Sequence, residues 1–148
     1  MIGRSGQPVP ESLTSLTEQE CWLLLRHHTL GRVAVVVDGR PKIFPVNYRA
    51  GEGAVVFRTA PGTKLAHGPM TESCFEIDGW DPDGGIGWSV VAKGIAHDVT
   101  EPRGAPTGRM RFWPVRPLAP GSREHWIGVW VSEITGRWFR TSAHRPPG

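Results

Sequence analysis

The chain has little sulfur, little tyrosine and no long apolar run. Its 148 residues hold two cysteines, Cys21 and Cys74, and a single tyrosine. The cysteines lack the paired spacing of a zinc site, so no metal centre is expected. The opening stretch "MIGRSGQPVPE" has no apolar signal core. Both thiols are therefore expected to be buried and free, in a reducing cytoplasm. No segment approaches the apolar length that crosses a membrane. Basic runs are also missing: the 17 Lys and Arg are scattered and the net charge is only +3. That distribution speaks against a nucleic-acid footprint and leaves solubility or an anionic ligand as its use. Spacing offers no Ser-His-Asp or Cys-His nucleophile pattern, and Glu20, Asp78 and His97 fall into no recognisable pairing.

What the chain does have is punctuation. Nineteen glycines and fourteen prolines fall between short apolar runs, a pattern of many turns and many strands. Residues 1–12 are polar and read as an arm. Thr17-Glu18-Gln19-Glu20 is a capping box, followed by Cys21, Leu24, Leu25 and His28 at helical spacing, with Gly31 as the expected stop. "RVAVVVD" and "KIFPVNY" flank a hairpin at Gly39, and "AGEG" turns the chain into "AVVFRT". "ESCFEIDGW" alternates Cys74, Glu76 and Asp78 against Ser73, Phe75 and Ile77. "IGWSVVAKGIAHDVT" reads as a long strand bent at Gly94. Residues 101–121 form an irregular crossing, and "REHWIGVWVSEITGRWFRT" supplies two last strands broken near Glu133. Six or seven antiparallel strands with a few short helices make a mainly β domain over 13–148, a small barrel or split barrel.

One corner concentrates chemistry. "VVFRTAPGTKLAH" passes from a strand into a helical turn, gathering Arg58, Thr59, Gly62, Thr63 and Lys64. Cationic and hydroxyl donors at a helix start can satisfy the several acceptor oxygens of a phosphate, although a solvated capped loop has the same composition. His27 and His28 point to different helix faces, which favours a contact with the helix C-terminus over metal ligation. Asp81 and Asp83 before Gly84-Gly85 fit a hairpin turn better than a calcium loop. Trp126 and Trp130 share one strand face while Ile127, Val129 and Val131 share the other. The first is expected to meet a partner subunit, the second to be core.

In this order, "ECWLLLRHHTLGRVAVVVDGRPKIFPVNY", "VVFRTAPGTKLAH", "FEIDGWDPDGGIGWSVVAKGIA" and "APGSREHWIGVWVSEITGRWF" resemble the pyridoxamine 5'-phosphate oxidase-like proteins of actinobacterial type. These are flavin-binding split barrels, and the likeness covers residues 16–139. The resemblance implies a homodimer with FMN at the subunit interface, or in some branches the deazaflavin coenzyme. It implies that Arg58, Thr59, Thr63 and Lys64 contact the flavin phosphate. Pro45, Val46, Asn47 and Tyr48 would line the isoalloxazine ring, and Trp88 and Ser89 would close over it. The C-terminal arginine and histidine motif that holds pyridoxal phosphate in the oxidase proper has no counterpart here. Gly128-Val129-Trp130 stands where many relatives carry an Arg-Ile-Pro pattern, so a more aromatic substrate pocket is expected.

These readings converge on an FMN-dependent oxidoreductase of the cytoplasm, acting on a small, flat organic substrate, with neither nucleic acid nor membrane as partner. A flavin carrier or sensor without turnover, a deazaflavin-dependent reductase and a barrel enzyme without flavin are the alternatives.

Overall fold

The structure is a computed structural model that describes residues 10–59, 71–99 and 125–141. Its elements are β1 (Pro10–Ser15), α1 (Glu18–His27), β2 (Leu30–Val37), β3 (Arg40–Gly51), β4 (Ala54–Thr59), β5 (Thr71–Asp81), β6 (Ile86–Asp98) and β7 (His125–Thr141). The strands run β1-β7-β4-β3-β2-β5-β6, and β6 pairs back onto β7. Six strands thus form a ring, and every pairing is antiparallel. Closing the ring removes the open edges that an exposed sheet would leave. Along one side, β7 pairs with β4 through His125–Trp130 and with β1 through Arg137–Thr141. The ring is therefore split where β7 changes neighbours.

Local chemistry explains the hairpins. Asp38 and Gly39 have φ of 52° and 72°, Glu52 and Gly53 of 50° and 79°. Two successive left-handed residues make the tight turn whose twist matches the flanking strands. Inside the ring, alternate residues build one core: Val33, Val35, Tyr48, Val55, Phe57, Phe75, Ile77, Val90, Ala92, Ile127 and Val129. Full burial of a side chain such as Phe75 stabilises by about 1.5–3 kcal/mol. Helix α1 closes one end by burying Cys21 and Leu25. Its capping box forms as expected, with Thr17 Oγ1 accepting from the Glu20 amide and Glu20 Oε2 accepting from the Thr17 amide. The Tyr48 hydroxyl donates to the Leu25 carbonyl at 2.8 Å and fastens the last turn of α1 to β3.

The structure revises four expectations. The helix ends at His27 with His28 as its extended cap, and Gly31 lies inside β2. The Phe75 ring packs where a Gly31 side chain would stand, so that glycine serves close packing instead of a stop. The last two strands are one strand of 17 residues. Lys93 pairs with Glu133 and Gly94 with Val131, leaving Ser132 as an extra residue. This bulge bends β7 without breaking it. Strand β1 begins at Pro10, within the stretch read as an arm. Cys74 is half-buried, because its strand phase places it on the outer surface; Cys21 is fully buried, and burial raises its thiol pKa. The expected helical turn around Thr63 and the crossing at 101–121 lie outside the described residues.

Candidate functional site

Strand alternation sorts the expected site residues. On β3, Tyr48 pairs with Phe57 inside the ring, so Asn47 and Pro45 face outward. On β4, Val55 and Phe57 belong to the core while Ala54 and Val56 form a separate outer cluster covered by Trp126 and Trp130. Arg58 continues that outer face and pairs with Trp126. One register step beyond the Tyr48–Phe57 pair, Asn47 falls beside Arg58. Asn47, Arg58 and Trp126 thus lie in one row across β3, β4 and β7.

Within this row the Arg58 guanidinium carbon is 5.4 Å from the centre of the Trp126 ring. A cation over an indole face is held by about 0.5–2 kcal/mol. The Arg58 Nε is buried and has no hydrogen-bond partner. A buried donor left unmatched costs about 1–3 kcal/mol, and such an atom calls for an explanation. At the end of the same strand, Thr59 pairs with His125. His125 Nδ1 lies 3.0 Å from Asp98 Oδ2, both side chains being part-buried. This histidine–carboxylate pair, brought together across β6 and β7, has no signal in sequence spacing. It shows only once the register is known.

Five residues beyond His125 on β7, the Trp130 indole N–H donates to His97 Nε2 at 2.7 Å, the rings being 13° from coplanar. Acceptance at Nε2 puts the proton of neutral His97 on Nδ1. That nitrogen is buried and makes no hydrogen bond. Burial pushes the His97 pKa down, against weaker opposing pulls from the Ile95 backbone and the Asp98 charge.

Other expected residues stand apart from this group. Tyr48 is 1% exposed, and its ring meets Phe75 edge-on at 4.7 Å. Burial also raises its pKa. Its side chain is therefore core and lines no outer pocket, and Val46 likewise packs inward. Trp88 packs on the core with its ring 4.7 Å from that of His28, so it belongs to the inner face. Ser89, in the opposite phase, faces outward and pairs with Asp78. Strands β2 and β5 separate Ser89 from β3, a span of about 14 Å at the usual strand spacing. Between them Arg32 grips Glu76 and Asp78 at 2.9 and 3.0 Å. Trp126 and Trp130 are half-buried, packed on Ala54 and Val56 on the outer face. Thr63 and Lys64 lie outside the described residues. Among the described residues, no three His, Cys, Asp or Glu side chains form a group able to hold a metal ion. None of the described helices is long and apolar enough to cross a membrane.

Similar proteins extend this picture. The sequence pattern of the family described as pyridoxamine 5'-phosphate oxidase matches residues 17–138. Among solved structures, the FAD binding protein of Mycobacterium smegmatis is 36% identical and superposes with a TM-score of 0.70, over 87% of this chain and 99% of its own. A Corynebacterium glutamicum protein, named as a candidate pyridoxamine 5'-phosphate oxidase, is 30% identical with a TM-score of 0.71, over 87% of this chain and 99% of its own. The Mycobacterium tuberculosis protein Rv0080 is 30% identical over 105 residues, 67% of this chain and 69% of its own length. The match across nearly the whole barrel, from the Thr17 cap to Trp138 on β7, makes this chain a member of the pyridoxamine 5'-phosphate oxidase family.

Proposed function

We propose that the protein is a cytoplasmic, homodimeric flavin-dependent oxidoreductase that holds FMN on the outer face of β3 and β4 and acts on a small, flat organic substrate. The observation that carries this reading is the buried, unmatched Nε of Arg58, set in a row with Asn47 and Trp126. A phosphate oxygen matches a guanidinium that keeps an unused donor. The Mycobacterium smegmatis relative, an FAD binding protein, supports a flavin in this framework.

In this reading Arg58, with Thr63 and Lys64, holds the phosphate, Thr59 stands in the inward phase of Phe57 at the end of β4, and the outward Pro45 and Asn47 border the ring system. Trp126 fixes the Arg58 guanidinium from below, and the inward Tyr48 and Val46 keep β3 rigid behind the site. Bound flavin supplies hydride or electron transfer, which is cofactor chemistry. The chain's own work is to bind, orient and shield it. The His125–Asp98 pair beside Thr59 can orient an imidazole nitrogen toward an acceptor at that end of β4.

The test is the visible absorption spectrum of the purified protein, before and after incubation with FMN and desalting. A retained flavin band that bleaches with a reductant and returns when a planar electron acceptor is added supports the reading. A protein that retains no flavin loses it, and one that retains flavin without passing electrons on is a carrier.

A further inference from the structure

Trp126 and Trp130 share the outer face of β7, about 13 Å apart at the usual strand rise. Between them stands Gly128, which has no side chain and pairs with His97 on β6. Val99 fills the gap. Its Cγ1 lies 3.1 Å from where a Gly128 Cβ would stand, and its amide donates to the Trp126 carbonyl at 2.7 Å. An apolar wall therefore starts at Trp126, under the Arg58 guanidinium, and runs through Val99 to Trp130, over Ala54 and Val56. Pairing with Ala54 and Ile95 fixes the Trp130 backbone, which leaves its side-chain torsions to be held. His97 holds them: its Nε2 accepts the indole N–H, and its ring stacks with a centroid separation of 5.9 Å.

We infer that His97 is a positioning residue for the substrate: as neutral imidazole it sets the Trp130 indole as the far end of this wall, and as imidazolium it releases the indole. The argument is one of donors and acceptors. An indole N–H can only donate, and a half-buried indole needs an acceptor for it. Neutral imidazole has one lone pair to offer, here at Nε2. Protonation fills it and turns the contact into donor against donor. Among the described residues, register brings four charged groups around His97. Asp98 follows it on β6 and meets His125 at 3.0 Å, and Glu72 on β5 stands opposite Ile95. Arg58 lies across β7 on β4, and Arg49 ends the row Arg49–Val56–Gly128–His97. Burial is the largest influence on the ring and favours its neutral form. At neutral pH a flat substrate therefore meets the wall already set. This inference rests on the flat substrate of the proposed function and names the side chain that orders its wall.

The experiment follows the Trp130 indole N–H resonance by nuclear magnetic resonance between about pH 8 and 5, where a histidine changes charge. Its loss in Trp130→Phe assigns it, and circular dichroism confirms that each variant folds. In the wild type the resonance is expected to move as His97 takes up its proton. In His97→Gln, whose amide oxygen still accepts, it should stay bonded and stop responding to pH. In His97→Leu it should be displaced at every pH. The second measurement is equilibrium dialysis of menadione, a flat uncharged quinone, against the purified protein supplied with FMN. Wild-type affinity should fall about twofold to tenfold on acidification, the worth of one aromatic contact. That fall should vanish in His97→Gln, and His97→Leu should bind at the weaker level throughout. A resonance indifferent to pH and to His97→Leu overturns the positioning role. A responsive resonance with menadione unbound, or bound equally in every case, overturns the wall as a substrate surface. A protein that takes up no flavin overturns the proposed cofactor instead, and the indole resonance still decides the His97–Trp130 contact.

Discussion

A buried nitrogen without a partner is a residue-scale anomaly, and the described residues hold two, Arg58 Nε and His97 Nδ1. Both lie on the outer side of the sheet formed by β4, β7 and β6, and each leans on a tryptophan. For His97 the arrangement has a consequence for stability. Its Nε2 accepts a hydrogen bond from the Trp130 indole N–H, so protonation must break that bond as well as charge a part-buried ring. The pKa in the folded protein is below the ordinary 6.5. Above about 6.5 the histidine is neutral in both states and its contribution is complete. As pH falls from 6.5 toward the lower folded value, the unfolded chain takes up the proton first and stability declines. Urea unfolding between about pH 5 and 8 should show this decline in the wild type. The slope should be shallower in His97→Gln; equal slopes would place the titration elsewhere. None of this was legible in the sequence, where His97 has no partner at any telling spacing.

At the scale of elements, the strands were largely readable because each has one dry face. Ser73, Phe75 and Ile77 are buried against the outward Cys74, Glu76 and Asp78, as alternation predicts. The capping box was equally legible, since Thr17 and Glu20 satisfy helix amides that nothing else reaches. Gly31 misled because a glycine that ends a helix and a glycine that admits a neighbouring ring look alike in sequence. The break predicted near Glu133 is a bulge because Ser132 Oγ donates to the Lys93 carbonyl at 3.3 Å and pairing resumes beyond it. Gly94 is essential there: a Cβ would run into the Trp130 carbonyl. Gly94→Ala should therefore cost about 1–3 kcal/mol, the range for overpacking a tight site. Chemical denaturation would measure it, and an unchanged midpoint would show that the bulge tolerates a side chain.

For the whole molecule, closing the ring gives the same strands two distinct surfaces. The inner face is a packed core of branched and aromatic side chains, closed at one end by Cys21 and Leu25 of α1. The outer face carries the Asn47–Arg58–Trp126 row and, around β2 and β6, the uncovered Val36, Ile43 and Ile95. Sequence alone could place Arg58 in a donor-rich corner. It could not say which of Pro45, Val46, Asn47 and Tyr48 turn outward, because that depends on strand phase relative to the closed core. The same limit hid the packing of Trp126 and Trp130 on Ala54 and Val56, which only the pairing of β4 with β7 reveals. The central claim is that Arg58 holds a flavin phosphate, and titration calorimetry with FMN and with riboflavin tests it most directly. A charge-assisted hydrogen bond contributes about 1.5–3 kcal/mol. FMN should therefore bind the wild type roughly tenfold to a hundredfold or more tighter than riboflavin. In a folded Arg58→Ala variant that preference should shrink by about the same factor. Equal affinity for FMN and riboflavin in the wild type, or an undiminished preference in Arg58→Ala, would contradict the account.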